Sequence, residues 1–372
     1  MQKRRYPAEW EKQRATWLSW PHNKKEWEHR QYGKSAKGQI NRIREFYIKL
    51  ILTILDFQDV KLILPDEKTL SSIEALRATP LRKKHKLHKI IIPNNDVWIR
   101  DYGPFFMNVI ASERSERSNP DRDCFVANAP RNDIFMLDFE FNAWGGKFPP
   151  WDLDNKVPKE ISKYLGIEIE SYPIILEGGG LEFSGDGLIL TTEQYLLNKN
   201  RNPTLNKNQI ETILKSAFNI EEIIWLKRGL EGDHTDGHID DVARFVGNRK
   251  VLICSTKDKK DKNHKHLNES IKYLKSWRHP KKKYKLEVIE ILLPDKMNLK
   301  DKRLPNSYVN FIFVNKGVIV PVFNCSTDKE ALVIFKKIFP KRKIVGLDCT
   351  LLIQEGGGIH CMTKQEPSVI QN

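Results

Sequence analysis

Ile174-Ile175-Leu176-Glu177-Gly178-Gly179-Gly180-Leu181-Glu182 returns, little changed, as Leu352-Ile353-Gln354-Glu355-Gly356-Gly357-Gly358-Ile359-His360. In both places an apolar, strand-like run enters Glu-Gly-Gly-Gly and leaves through an apolar residue. Such an echo points to a fold assembled from repeated α/β units. Three glycines in succession mean that backbone approaches something closely, or takes positive φ, at both places.

Working outward, β-branched runs bounded by turn residues read as strands: Val60 to Pro65, Ile90 to Pro93, Gly187 to Thr192, Val251 to Thr256 and Gly317 to Val322. Between them the apolar period becomes helical, over Ile40 to Leu55, Val157 to Leu165, Lys207 to Phe218, His266 to Trp277 and Asp328 to Phe339. The last helix has Thr327 or Asp328 as its N-cap. Strands alternating with helices predict an α/β protein. Ala111 to Arg122 and Asp258 to His264 read as exposed loops. At 372 residues the chain is expected to form one catalytic domain over 1–372.

The 63 basic against 48 acidic residues give a net charge of +15. The excess lies in short runs such as Arg82 to Lys86, Lys257 to Lys262, Lys281 to Lys283 and Lys341 to Lys343. None interleaves the aromatics of a base-stacking platform, so they read as solvated faces and nucleic acid is not an expected partner. No eighteen-residue apolar run is present, which argues against a membrane partner. Met1 to Pro7 is basic without a following apolar segment, so no signal peptide is expected. Five scattered cysteines form no C-x-x-C pair, against a zinc ribbon or a disulfide framework. A reducing cytoplasm fits these features, and assembly into a homo-oligomer is left open.

Four clusters carry polar residues where packing alone would not ask for them. Asn95-Asp96-Val97-Trp98-Ile99-Arg100-Asp101 follows a strand, and its carboxylates and indole can make a cation pocket; the alternative is a turn closed by an Arg100–Asp ion pair. Glu177, at the end of an apolar strand, is costly to bury unless paired, and can hold a guanidinium or position a histidine; it can equally cap glycine backbone. Gly232-Asp233-His234-Thr235-Asp236-Gly237-His238-Ile239-Asp240-Asp241 is a dense His/Asp set. On a strand, His238 and Asp240 would share a face, which favours an acid–base histidine beside a carboxylate over a metal site. Cys361, directly after the second glycine run, is a buried hydrophobe or, with a cation nearby, a nucleophile.

Together these clusters resemble the agmatine deiminase and peptidylarginine-deiminase-like branch of the guanidino-modifying enzymes. The motifs occur in the same order: W-x-R-D at Trp98 to Asp101, E-G-G at Glu177 to Gly179, G-H-I-D at Gly237 to Asp240, and G-G-x-I-H-C at Gly356 to Cys361. Ser19-Trp20-Pro21, Leu196 to Pro203 and Ser307-Tyr308-Val309-Asn310-Phe311 extend the likeness over nearly the whole chain. The resemblance implies a five-bladed, pseudo-symmetric α/β propeller of ββαβ repeats (pentein-like), with a central site and neither metal nor cofactor. It implies Cys361 as nucleophile, His238 as acid–base, Asp101 and Asp240 as the guanidinium clamp, and Glu177 assisting. Trp98 would line the channel, with Asp96, Asp236, His234 and Gly358 in the substrate-binding set.

The chemistry accounts for this inventory. Two carboxylates fix a planar guanidinium, a thiolate attacks its central carbon, and an imidazolium protonates the departing nitrogen. The implied partner is a small cationic guanidino compound, foremost agmatine, giving N-carbamoylputrescine and ammonia; arginine or peptidylarginine is the alternative, and amidino transfer to an amine a further one. His234 stands where agmatine deiminases carry a carboxylate for the far amine, a charge that Asp236 or Asp233 can restore. Surface lysines should repel such a cation only over the ~8 Å Debye length of physiological salt, leaving the local pocket to decide.

Overall fold

The computed structural model describes residues 3–24, 39–74, 84–110 and 134–368. The expected loop Ala111 to Arg122 lies outside the described residues. Five sheets share one plan: a central strand has an antiparallel neighbour on one side and a parallel neighbour on the other. Since a parallel pair needs a crossover, a helix lies between its two strands in each case.

The first such unit joins Gln13–Ser19, the helix Gln39–Ile54 and Asp59–Leu64, with Leu87–Ile91 added in parallel. Its antiparallel member is the C-terminal strand Lys364–Pro367. The second runs Phe105–Ile110, Ile134–Glu140, helix Val157–Leu165, Ile169–Ile175. Glu182–Phe183, Leu188–Thr192, helix Lys207–Phe218 and Glu222–Leu226 form the third. The fourth is Ala243–Gly247, Lys250–Ser255, helix His264–Ser276, Glu287–Leu292, and the fifth is Ile312–Val314, Gly317–Val322, helix Asp328–Ile338, Lys343–Asp348.

Each helix exists because its apolar period faces its sheet. In Gln39–Ile54 the buried side chains include Ile40, Ile43, Tyr47, Leu50, Ile51 and Ile54, one stripe of the cylinder. Helix Lys207–Phe218 starts from a reciprocal Asn206–Gln209 capping box, and Val157–Leu165 stops at left-handed Gly166. The last helix is preceded by Thr327, whose side chain makes no cap hydrogen bond. Asp328 instead accepts from the backbone N–H groups of Phe323 and Cys325, tying the helix start to the end of the preceding strand.

Two expectations of local structure are corrected. The second Glu-Gly-Gly-Gly is not fed by a strand: Leu352–Glu355 is a 3₁₀ turn whose Leu352 and Ile353 plug the core. The pairing edge there is already supplied by Lys343–Asp348. His238 and Asp240 also lie off the sheets, at the 3₁₀ turn Ile239–Asp241 that His238 leads into. Asp233 makes that turn by accepting from the backbone N–H groups of Thr235, Gly237 and His238.

Candidate active site

Every connection that leaves one unit and enters the next delivers polar groups to a common place. The first connection carries Asp101 on the short helix Ile99–Tyr102, and the second carries Glu177 and Gly179. His238, Asp240 and Asp241 come from the third, Asn310 from the fourth, and His360 and Cys361 from the fifth.

Gly179 shows how tightly these groups meet. A Cβ built on it would lie 2.7 Å from His238 Nδ1, 2.8 Å from Asp101 Oδ1 and 3.1 Å from Asp240 Oδ2. The same Asp240 oxygen is 3.8 Å from Cys361 Sγ. One hydrogen in place of a side chain is therefore what lets three charged groups converge. The Gly179 N–H is spent on Asp101 Oδ1 at 2.8 Å, while Trp144 Nε1 donates to the other oxygen at 2.9 Å.

His238 is buried between two acids, with Nε2 3.4 Å from Glu177 and Nδ1 3.7 Å from Asp101. Burial works against its charge, but Asp101 and Glu177 prevail and raise it to about 9, so it is an imidazolium at neutral pH. Burial pushes Asp101 up to about 6, helped by Asp240 and Glu177 and opposed by His238. Glu177 is fully buried too; its desolvation is outweighed by Arg201, whose Nε donates to Oε1 and Oε2 at 2.8 and 3.2 Å and keeps it ionised. Asp241 is driven well above the usual carboxylate range by burial and by adjacent Asp240.

Cys361 is 6 % exposed. Burial and the carboxylates of Asp240, Asp241 and Asp101 push its thiol well above 9, opposed by the Gly358 backbone. Asn310 Nδ2 points at the sulfur from 3.3 Å and at Asp241 Oδ1 from 2.9 Å, while Asn310 Oδ1 accepts from His360 N. Among the described residues, two buried polar atoms of this cluster have no hydrogen-bond partner: Asp240 Oδ1 and His238 Nδ1.

The thiol opens on a narrow cavity lined by Trp98, Asp101, Trp144, Phe148, His234, Thr235, Asp241, Glu355, Gly356, Gly357 and Cys361. Trp98 and His234, two of the expected substrate-binding residues, are in the wall. Three others are elsewhere. Asp96 is not in the lining, and its Oδ1 accepts from Val97 N at 2.7 Å. Asp236 turns to Lys147, Asn200 and Arg201, so its charge is committed inside the protein rather than to a ligand's far end. Gly358 is pressed against Asn310, whose Oδ1 would be 2.2 Å from an added Cβ, so it shapes the thiol's support rather than the cavity wall. Asp233, the other suggested replacement charge, is occupied with its own loop. Among the described residues Arg100 shows no turn-closing pair with Asp101; it is buried against His360 O and Gln365.

Sequence reasoning missed Asn310, Asp241, Trp144 and Arg201. Asn310 stood in a quoted likeness without a role, and its signal was a buried-looking Asn between Val309 and Phe311. Asp241 was overshadowed by Asp240. Arg201 stood in the quoted likeness Leu196 to Pro203 without a role, and nothing local marks Trp144, which acts from another part of the chain. Among the described residues no three His, Cys, Asp or Glu side chains are grouped as a metal shell, and no helix is long and apolar enough to cross a membrane.

With this geometry in hand, similarity to known proteins is informative. The model of the Porphyromonas-type peptidyl-arginine deiminase family matches residues 5–367. A Legionella pneumophila relative is 34 % identical over 364 residues, covering 97 % of this chain and 94 % of its own. The agmatine deiminase of Ectopseudomonas mendocina is 30 % identical over 385 residues, covering 97 % and 95 %. Among solved structures, a cysteine-to-serine variant of C. jejuni agmatine deiminase with substrate bound superposes with a TM-score of 0.82 at 28 % identity, covering 99 % of this chain and 98 % of that one.

Proposed function

Because the chain belongs to the Porphyromonas-type peptidyl-arginine deiminase family, we propose that it hydrolyses a guanidinium group, with agmatine as substrate and N-carbamoylputrescine and ammonia as products. The observation that carries this reading is the buried meeting of Cys361, Asp240, Asp101 and His238, with Asp240 Oδ1 and His238 Nδ1 lacking a hydrogen-bond partner among the described residues. A planar cation placed there would satisfy Asp240 Oδ1 with its own N–H and pair with both carboxylates.

The steps follow from the protonation states. A cationic substrate beside Cys361 offsets the carboxylates that hold the thiol protonated, and so favours the thiolate. Sulfur bonds to the guanidinium carbon. The departing nitrogen takes the His238 proton, the C–N bond breaks, and ammonia leaves behind a cationic thiouronium on Cys361. Neutral His238 then accepts a proton from water as its oxygen adds to the carbon. Cleavage of the C–S bond and loss of a proton give the ureido product and restore the thiolate. Glu177, pinned by Arg201, keeps the imidazole oriented and charged.

The far end of the substrate is read from the wall. Among the described residues lining the cavity there is no lysine or arginine, whereas Asp101, Asp241, Glu355 and four aromatic or imidazole rings are present. Such a lining suits an amine tail and offers nothing to an α-carboxylate. The five units are read as blades of a pseudo-symmetric propeller, closed where the C-terminal strand Lys364–Pro367 pairs with Gln13–Ser19, and as one catalytic domain. A cytoplasmic setting fits an enzyme that depends on a free thiol.

Ammonia release from agmatine, free arginine and a short arginine peptide tests the proposal. Agmatine should be turned over with the highest kcat/KM, and Cys361→Ala should lose turnover with the fold retained. Preference for arginine would move the reading to the alternative substrate; ammonia from none of the three would end it.

A further inference from the structure

Behind the reacting groups lies a charge network that the steps above do not use. His360 Nδ1 is 2.7 Å from Asp240 Oδ2, and its Nε2 is 2.8 Å from Glu9 Oε2. We propose that His360 is a positioning residue carrying a proton on each ring nitrogen, and that this charge lets Asp240 clamp a cation beside a thiolate.

A neutral imidazole has one N–H and one lone pair, so one of its two contacts would set lone pair against carboxylate lone pair at under 3 Å. A proton must come from somewhere in the Glu9–His360–Asp240 row. Glu9 cannot supply it. Burial would raise Glu9, but Arg244 and His360 hold it below the usual carboxylate range. Arg244 NH2 donates to Glu9 Oε2 at 2.7 Å, and Phe313 N donates to Oε1. Asp240, despite its burial, is likewise lowered by His360. Both ring nitrogens are therefore donors.

Burial and the guanidiniums of Arg100 and Arg244 lower His360 from the usual imidazole range, against the pull of Glu9 and Asp240, yet contacts of 2.7 and 2.8 Å to two carboxylates leave no room for a bare ring nitrogen. The charge count points the same way. Arg244 also pairs with Glu182, which burial has pushed up to about 7, and Arg100 NH2 is 3.8 Å from Glu9. Above that pH, Glu9, Glu182 and Asp240 face Arg100 and Arg244, while buried Lys364 beside Arg100 is held well below its usual range by desolvation, so an imidazolium at His360 offsets the remaining negative charge. The consequence reaches the sulfur, because the oxygen that accepts from His360 is the one 3.8 Å from Cys361. A bare Asp240 anion would oppose the thiolate; an Asp240 paired with His360 opposes it less, while Oδ1 stays available for the substrate. This role rests on Cys361 being the nucleophile of the proposed reaction, whereas the protonation of His360 does not.

The full-length chain labelled with ¹⁵N-histidine tests the protonation at pH 8. His360, assigned by backbone correlation, should have both nitrogens protonated where an ordinary imidazole is neutral; one unprotonated nitrogen overturns the proposal. The role is read from iodoacetamide alkylation of the Cys361 peptide against pH. In His360→Gln the midpoint should rise by a pH unit or more, with alkylation at pH 7.5 slower by about tenfold; an unchanged or lower midpoint overturns the role. Should that variant not fold, Glu9→Gln offers Nε2 a side-chain donor and removes the need for the second proton; the midpoint should again rise, by less because the Glu9 charge is lost too, and an unchanged or lower midpoint overturns the role. Neither readout needs turnover, so failure to release ammonia from agmatine sinks the proposed reaction and leaves these results standing.

Discussion

The side-chain amide of Asn310 donates to the sulfur of Cys361 across 3.3 Å. The carboxylates of Asp240, Asp241 and Asp101 push its thiol up, and this neutral donor works in the opposite direction, together with the Gly358 backbone. A hydrogen bond to a charged group is worth about 1.5–3 kcal/mol. Asn310→Ala should accordingly reduce kcat/KM by about 10- to 100-fold. Asn310→Asp, which sets a further acid against both Cys361 and Asp241, should reduce it more. Steady-state kinetics on agmatine decide the matter, and an Asp variant as active as the natural chain removes the donor role.

His238 must be protonated to act as the acid, and its value of about 9 means that this proton is present below pH 9 and lost above it. The Cys361 thiol lies well above 9, so in the free enzyme the thiolate fraction grows as pH rises. The product of the two fractions climbs by roughly tenfold per unit up to pH 9 and then levels. kcat/KM should therefore rise from pH 7 to about 9, and fall more steeply below about 6, where Asp101 takes up a proton. kcat should flatten at lower pH than kcat/KM, since bound cation eases thiol ionisation. A kcat/KM constant between pH 7 and 9 contradicts this assignment.

Arg201 and Glu177 form an ion pair in which both side chains are fully buried. Removing one partner leaves a desolvated charge, at a cost of about 3–5 kcal/mol. Urea unfolding of Arg201→Ala should show a loss in that range. Adding Glu177→Gln should recover part of the stability but none of the activity, because His238 then lacks one of its two acids.

Gly179→Ala isolates the convergence of the site. The new methyl would meet His238 Nδ1 and Asp101 Oδ1 at under 3 Å, displacing the acid and the clamp together. Turnover should fall by more than about 100-fold, in line with what small misplacements of catalytic groups cost. Far-UV circular dichroism should remain that of the natural chain. Retained activity would mean that these groups do not act together.

The sequence was sufficient where information is local. Helix and strand segments such as Val157–Leu165 and Gly317–Val322 follow from apolar period and turn residues, and the structure has them at the expected bounds. Cys361, His238, Asp240, Asp101 and Glu177 stood out because charged residues beside apolar or glycine runs have no packing reason to be there. The same local logic misread Leu352–Glu355 as a strand and His238–Asp240 as a strand face, since buried apolar side chains serve a 3₁₀ plug as well as a sheet.

What composition and order determined by themselves was thus the repeating strand–helix plan and the chemical types that the site employs. Which carboxylate faces the cavity, which is spent on Arg201 or Lys147, and which backs the thiol through His360 was decided by tertiary structure alone. The reason is physical: a side chain's charge and hydrogen-bonding capacity are set by neighbours within a few ångströms, and here those neighbours arrive from five separate connections, hundreds of residues apart along the chain.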